Sequence, residues 1–409
     1  MSMINLPNKL EGVLKYVLEN QFSSLYRDLY STSDASSISS WSELPFLTKE
    51  HLLKIPIKDR VFLPYEEVRM IQSTSGTSGT PFVTPRANIQ PFSSFFKEIN
   101  NVQAVLAFTP PQHRIIESLR KSKLRSPLIA IDPMHLDRSV AIAAKLSVTH
   151  LMCPYHLIEL LKPSIEKYGL REKFIAIMPF GAKISRSIYN DLQDYFPNAT
   201  VSINYSAIEF QGIVGKQEAN WDNPSEFIPA KNCYLEIIDD EDKNLTKTDS
   251  VGEIVITTLD PSNIATPLLR YRTGDLARII KYSENNEEYL FEVLGRKITE
   301  KVELLNGELQ VYELEKVLEG VDPKLSDHFQ LHVYENLESR SKKDLVLHVV
   351  NDKEYSPNIT KEKLSSYIGE NLRIASGKVY GEGNYGNIEI KWVPNFPPSP
   401  VKFKKIILH

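Results

Sequence analysis

The stretch Ser73-Thr74-Ser75-Gly76-Thr77-Ser78-Gly79-Thr80-Pro81 gathers hydroxyl side chains around two glycines. Glycine tolerates positive φ, so successive N–H groups there can point into one concavity. Rimmed by Ser and Thr hydroxyls, such a nest suits a polyphosphate. The same composition also makes an ordinary flexible surface loop, and the local sequence leaves both readings open. It is not the Gly-x4-Gly-Lys-Ser/Thr phosphate loop, because no lysine follows the second glycine. Other stretches carry chemistry of their own. Tyr205-Ser206-Ala207-Ile208-Glu209 sets an aromatic ring and a carboxylate at the end of an apolar strand. Phe180-Gly181-Ala182-Lys183 places a small pair beside an aromatic, which frames a flat ring or simply leads into a capped helix at Ser185. Asp275 follows a glycine, the ordinary setting of a turn aspartate. Cys153-Pro154-Tyr155-His156 pairs a thiol with an imidazole, but a cysteine ending a buried strand behaves as a small hydrophobe.

Positioning these residues is the task of the elements between them. Apolar residues at three- and four-residue intervals predict an amphipathic helix over 8–30. Thr48 is placed to cap a short helix. From 89 to 180, strand-like runs (Val102–Phe108, Pro127–Ile131, Ser147–Cys153, Phe174–Met178) alternate with helical patterns at 113–123, 135–146 and 154–168. That order predicts a covered, largely parallel sheet whose ligands bind beyond the carboxyl ends of its strands. A strand over Thr200–Asn204 follows. Hairpin-like strands between 217 and 290 predict an antiparallel subdomain. Beyond Leu294-Gly295-Arg296-Lys297, helices at 310–319 and 359–373 and strands at 328–335, 344–350 and, last, Ile388–Val393 give a small α+β domain.

The chain has 409 residues, 42% of them hydrophobic and 24% charged, which fits two or three globular domains. A formal charge of −4 offers no basic field for nucleic acid or anionic membrane. No run of about 18 apolar residues predicts a membrane span. The two cysteines, Cys153 and Cys233, form no disulfide framework, and the N-terminus lacks signal-peptide character, so a cytoplasmic location is expected.

Taken together, Ser73–Pro81 and Tyr271-Arg272-Thr273-Gly274-Asp275 resemble the AMP-forming acyl-adenylate superfamily, specifically its phenylacetate–CoA ligase-like branch. With four looser motifs the resemblance spans about residues 20–409. It implies an α/β fold. A large N-terminal domain (1–294) would hold a helical region, covered mostly parallel sheets and the β subdomain near 217–290. A small, mobile α+β lid (295–409) would follow. It implies Mg·ATP as cosubstrate, with the β- and γ-phosphates cradled by Ser73, Thr74, Ser75, Gly76, Thr77, Ser78 and Gly79. Gly181, Ala182 and Tyr205 would then flank the adenine, and Ser206 would belong to the same nucleotide site. Asp275 would accept from the ribose hydroxyls, Arg296 would contact the nucleotide, and Glu209 would hold Mg²⁺. Lys402, in Pro397-Pro398-Ser399-Pro400-Val401-Lys402-Phe403-Lys404-Lys405, matches the lysine bridging carboxylate and α-phosphate, with Lys404 as fallback.

The chain departs from that pattern in several places. No lysine flanks Pro81; Arg86 replaces it only if its strand turns back, and an exposed arginine is the ordinary expectation. Ile208 stands for a hydroxyl residue and Val401 for a glycine. Lys297-Ile298-Thr299-Glu300 replaces the hinge Asp pair, leaving Lys297 as hinge candidate, and Gly307 lies two residues late. The implied reaction activates an aromatic or compact carboxylic acid as its acyl-adenylate and passes it to a thiol, CoA or a carrier protein. Phe108, Tyr155 and Phe180 are candidates for the acid pocket. Transfer to an amine, or a degenerate nucleotide-binding homologue, are the alternatives, and a homodimer stays open.

Overall fold

The computed structural model describes residues 8–32, 40–73, 82–87, 102–108, 127–181, 183–217, 223–282, 289–297, 300–304, 307–327, 329–337, 342–350, 388–394, 396 and 404–409. Thr74–Pro81, Ala182, Lys402 and the helical patterns at 113–123 and 359–373 lie outside them.

Five strands form an all-parallel sheet in the order Leu128–Ala130, Val105–Ala107, His150–Pro154, Ala176–Phe180, Thr200–Val201. Parallel strands need crossover connections. Helices Leu136–Lys145, Tyr155–Lys167 and Arg186–Tyr195 supply the three that follow Leu128–Ala130, close to where the 3.6-residue periodicity places them. His150–Pro154 is buried along its whole length, as expected of a strand covered on both faces. Cys153 lies within it, and burial pushes its thiol well up, which fits a packing role.

Seven antiparallel strands form the second sheet, in the order Cys233–Ile238, Val251–Thr258, Tyr271–Lys281, Leu290–Arg296, Glu226–Pro229, Gly212–Lys216, Asn204–Ala207. The segment expected as one strand over Thr200–Asn204 is therefore divided. Thr200–Val201 completes the parallel sheet, and Asn204 opens the antiparallel one. A two-stranded hairpin, Met70–Ser73 with Val83–Arg86, stands apart from both.

The helix expected over 8–30 is two helices, Asn8–Leu18 and Leu25–Tyr30. The apolar spacing runs through the break. Asn20 stops the first helix because its Oδ1 accepts from the N–H groups of Phe22 and Ser23. Thr48 caps helix Lys49–Lys54 in a reciprocal box with His51. Ser185 caps Arg186–Tyr195 by accepting from Ile188 N.

A large N-terminal domain is followed by a small C-terminal one, and each has its own core. One core runs from Leu10 to Phe291, the other from Val302 to Ile390. The small domain packs helix Val311–Glu319 on a sheet ordered Ile388–Val393, Lys343–Val350, Phe329–Glu335, Ile406–Leu408. Ile388–Val393 is thus not the last strand: Ile406–Leu408 follows and pairs in parallel with Phe329–Glu335. Glu315 joins the two domains. Its carboxylate accepts from Lys183 Nζ at 2.9 Å and from Lys405 Nζ at 2.6 Å. The two cations outweigh burial and hold that carboxyl below its usual range. Nearby, helix Arg186–Tyr195 packs against the turn Pro323–Ser326.

Candidate active site

Strand Tyr271–Lys281 begins with the Tyr-Arg-Thr-Gly-Asp motif and shows what each residue does locally. Its register against Val251–Thr258 slips between Glu253 and Val255, leaving Ile254 opposite a bulge at Thr273-Gly274. Gly274 takes φ +73°, a conformation that penalises any residue with a Cβ. Thr273 Oγ1 donates to Ile254 O at 2.8 Å and accepts from Asp275 N at 3.0 Å, while Gly274 N donates to Glu253 Oε1. The bulge re-aims the strand so that Asp275 faces a partner rather than the sheet interior.

That partner is Arg296, directly opposite Asp275 on strand Leu290–Arg296. Its Nε lies 2.7 Å from Asp275 Oδ1, and its Nη1 donates to Thr273 O. From the far edge of the same sheet Tyr205 Oη donates to Asp275 Oδ2 at 2.6 Å. The Tyr205 ring packs against Phe227 and Phe291, which fixes its direction. Burial pushes the Asp275 carboxyl upward, opposed by the charge of Arg296 and the Tyr205 hydrogen bond. Arg296 is shifted upward, chiefly by Asp275. An ionised carboxylate offers about four lone-pair sites, and these two bonds use one on each oxygen. Each oxygen keeps an acceptor for a further donor, the arrangement that a vicinal diol requires.

Glu209 lies in the turn between strands Asn204–Ala207 and Gly212–Lys216 and is half-buried. Its charge acts on Tyr271, Asp275 and Arg296, which places it in the same cluster. The described residues contain no group of three or more metal-type ligands. A single carboxylate fits Mg²⁺ nonetheless, because that ion is usually bound by one or two carboxylates together with substrate phosphates and water.

Ser206 is exposed on the Tyr205 strand. Gly181 follows strand Ala176–Phe180 with φ +84°. Phe108 follows Val105–Ala107, Tyr155 follows His150–Pro154, and Phe180 ends the next strand, so all three stand at the carboxyl ends of neighbouring strands. Ser73 ends strand Met70–Ser73, opposite Val83, so the hairpin brings both stems of the Ser/Thr/Gly loop together. Lys297 Nζ reaches Asp240 at 2.9 Å and Glu253 at 3.5 Å.

Two features were not legible in the sequence. Arg86 is not an exposed arginine: it is 1% exposed, and its Nη2 donates to Ile208 O at 2.8 Å. Its strand runs back antiparallel to Met70–Ser73, and Arg86 pairs with Met70. Lys405, beside the two lysines the sequence favoured, is committed to Glu315 and Ser326 O.

The fold is that of the AMP-forming ligases. The chain aligns with 2-hydroxyisobutyryl-CoA ligase in the postadenylation state with 2-HIB-AMP at TM-score 0.69 and 15% identity, covering 98% of this chain and 88% of that one. Against the same enzyme in its thioesterfication state, with 2-HIB-AMP and CoA, the score is 0.56 at 16% identity over the same shares. The AtGH3.15 acyl acid amido synthetase in complex with 2,4-DB gives 0.66 at 14% identity, covering 95% and 87%. ATP-bound MatB from Rhodopseudomonas palustris gives 0.57 at 14% identity, covering 85% and 68%. No protein-family model and no curated protein sequence matches the chain.

Proposed function

We propose that this protein is an AMP-forming carboxylic acid ligase of the phenylacetate–CoA ligase-like kind. It converts a compact or aromatic carboxylate and Mg·ATP to acyl-adenylate and pyrophosphate, then transfers the acyl group to a thiol of CoA or a carrier protein. The observation that carries this reading is the meeting of Tyr205, Asp275 and Arg296 around one carboxylate with acceptor capacity left over. Three separate strands bring together residues whose motifs each point to a nucleotide.

In this reading Asp275 receives the ribose diol, and Tyr205 and Arg296 hold its orientation. Glu209 holds Mg²⁺, which neutralises phosphate charge. The Ser73–Gly79 loop contacts the β- and γ-phosphates, and Gly181 and Ala182 border the adenine. Phe108, Tyr155 and Phe180 line the acid pocket. The acid's carboxylate attacks the α-phosphorus in line, so positioning and electrostatics supply the catalysis, with Lys402 meeting the developing charge. Residues 295–409 act as a lid that delivers Lys402 and then swings to admit the acceptor. The higher similarity to a postadenylation arrangement than to a thioester-forming one supports assigning the present domain arrangement to the first half-reaction.

Transfer to an amine is the second reading. It is favoured by the amido synthetase that shares the fold over 95% of this chain, and by the altered run after Arg296. Pyrophosphate release across a panel of acids, with CoA, amines or no acceptor in parallel, tests both. Acid-dependent release with CoA-dependent turnover supports the thiol ligase, and amine-dependent turnover the alternative. No release with any acid refutes both.

A further inference from the structure

Strand Val251–Thr258 contributes a buried carboxylate, Glu253, whose two oxygens have separate tasks. Oε1 accepts from Gly274 N at 3.2 Å. Oε2 accepts from Arg272 Nη2 at 2.6 Å and from its Nε at 3.2 Å, and Lys297 Nζ stands 3.5 Å away. Gly274 and Lys297 are themselves joined, because Lys297 N donates to Gly274 O at 2.8 Å. A closed ring thus runs from the Glu253 carboxylate through the Gly274 peptide to Lys297 and back. Asp275 and Arg296, which face each other across adjoining strands, are the immediate chain neighbours of Gly274 and Lys297. The ring therefore lies one rung from the carboxylate assigned to the ribose under the proposed function.

We propose that Glu253 is a positioning residue for nucleotide binding, acting through the Gly274 peptide to hold the direction of the Asp275 carboxylate. The inference rests on the adenylation reading and deepens it. Gly274, at φ +73°, is a joint directly before Asp275 with no side chain of its own to restrain it. Thr273 Oγ1 fixes the amide of Asp275, and Glu253 fixes the amide before it. A carboxylate is costly to bury unless it is paired and hydrogen-bonded, and Arg272 and Lys297 supply that pairing. Each of these cations also has a second carboxylate, Asp242 for Arg272 and Asp240 for Lys297. Replacing Glu253 therefore leaves both cations partnered and removes the restraint on Gly274.

ATP and 2′,3′-dideoxy-ATP separate this role from a merely structural one, because the dideoxy nucleotide has no ribose hydroxyl to offer Asp275. Titration calorimetry on the full chain with each nucleotide measures the two. Wild type is expected to bind ATP the more tightly. Glu253→Ala should weaken ATP about tenfold, the scale of one hydrogen bond, with dideoxy-ATP within about twofold of its wild-type affinity. Glu253→Gln, which keeps an acceptor for Gly274 N without the charge, is expected to recover part of the ATP affinity. It serves alone if the Ala variant does not fold. Equal losses for the two nucleotides, or no loss for ATP, overturn the positioning role while leaving the adenylation reading intact. Wild-type protein that binds the two nucleotides alike, or binds neither, overturns the ribose assignment and the positioning role with it.

Discussion

Two of the arginine–carboxylate pairs at the seven-stranded sheet share one chemistry in different settings. Arg270 and Glu236 are 2% and 5% exposed, and their bonds turn inward. Glu236 also accepts from Trp41 Nε1, Arg270 Nη1 donates to Ser42 O and Leu44 O, and the Phe46 ring lies 4.0 Å from the guanidinium. Arg270 even holds φ +43° to make this arrangement. In the pair Arg296–Asp275, by contrast, the arginine is 48% exposed and the carboxylate 11%. The first pair staples the N-terminal segment to the sheet and is complete as it stands. The second is anchored by Arg296 and Tyr205 and stands partly open to solvent on the arginine's side.

Breaking the inner pair should have the largest effect. Arg270→Met leaves Glu236 buried without its cation, a loss of about 3–5 kcal/mol in unfolding free energy, measured by urea denaturation. Burial already pushes the Glu236 carboxyl up against the opposing charge of Arg270, so the orphaned acid would be forced further toward its neutral form. Combining Arg270→Met with Glu236→Leu should recover much of the loss. If the double variant is no better than the single one, the pair is not the closed unit described.

A smaller, functional effect is expected at the outer pair's neighbour. Glu209→Gln should raise the Mg²⁺ requirement of pyrophosphate release several-fold with little change in melting temperature, because an amide is a poorer ligand for a hard cation. Identical Mg²⁺ titrations for variant and wild type would remove Glu209 from the metal site.

The smallest effect lies at the domain seam. Burial raises the Asp327 carboxyl to about 6. A carboxyl raised on folding favours the folded state most at low pH, where it is protonated, and that contribution is lost as pH rises through about 6. Asp327→Asn should therefore raise the melting temperature by a few degrees at pH 8, about 1 kcal/mol, and by nothing at pH 4. An equal shift at both pH values would contradict the assignment.

How far the sequence discloses such features depends on whether the signal is local. The periodicities that mark Leu136–Lys145 and Tyr155–Lys167 are one-dimensional, so the α/β alternation could be read directly. Tyr205, Asp275 and Arg296 were legible as separate motifs, each with its own local pattern. Their meeting at one carboxylate was not, because it depends on sheet order: Leu290–Arg296 pairs with Tyr271–Lys281, and Asn204–Ala207 forms the far edge. The split of Thr200–Asn204 between two sheets is invisible for the same reason, since Val201 and Ile203 are apolar and buried on either side of the break. Arg86 reads as a surface residue because nothing beside it in the chain announces Ile208. Glu315 and Lys405, ninety residues apart, carry no mutual signal at all.

In the proposed function Asp275 receives the nucleotide and the site so formed adenylates an acid. It is tested most directly by acid-dependent exchange of labelled pyrophosphate into ATP, measured for wild type and Asp275→Ala alongside their unfolding curves. Wild type is expected to exchange label only with its acid present. Asp275→Ala should lose about 30- to 10³-fold, as expected for two charge-assisted hydrogen bonds worth roughly 2–4 kcal/mol, while its unfolding midpoint stays near that of wild type. Undiminished exchange in a folded Asp275→Ala protein, or no exchange by wild type with any acid, would contradict it.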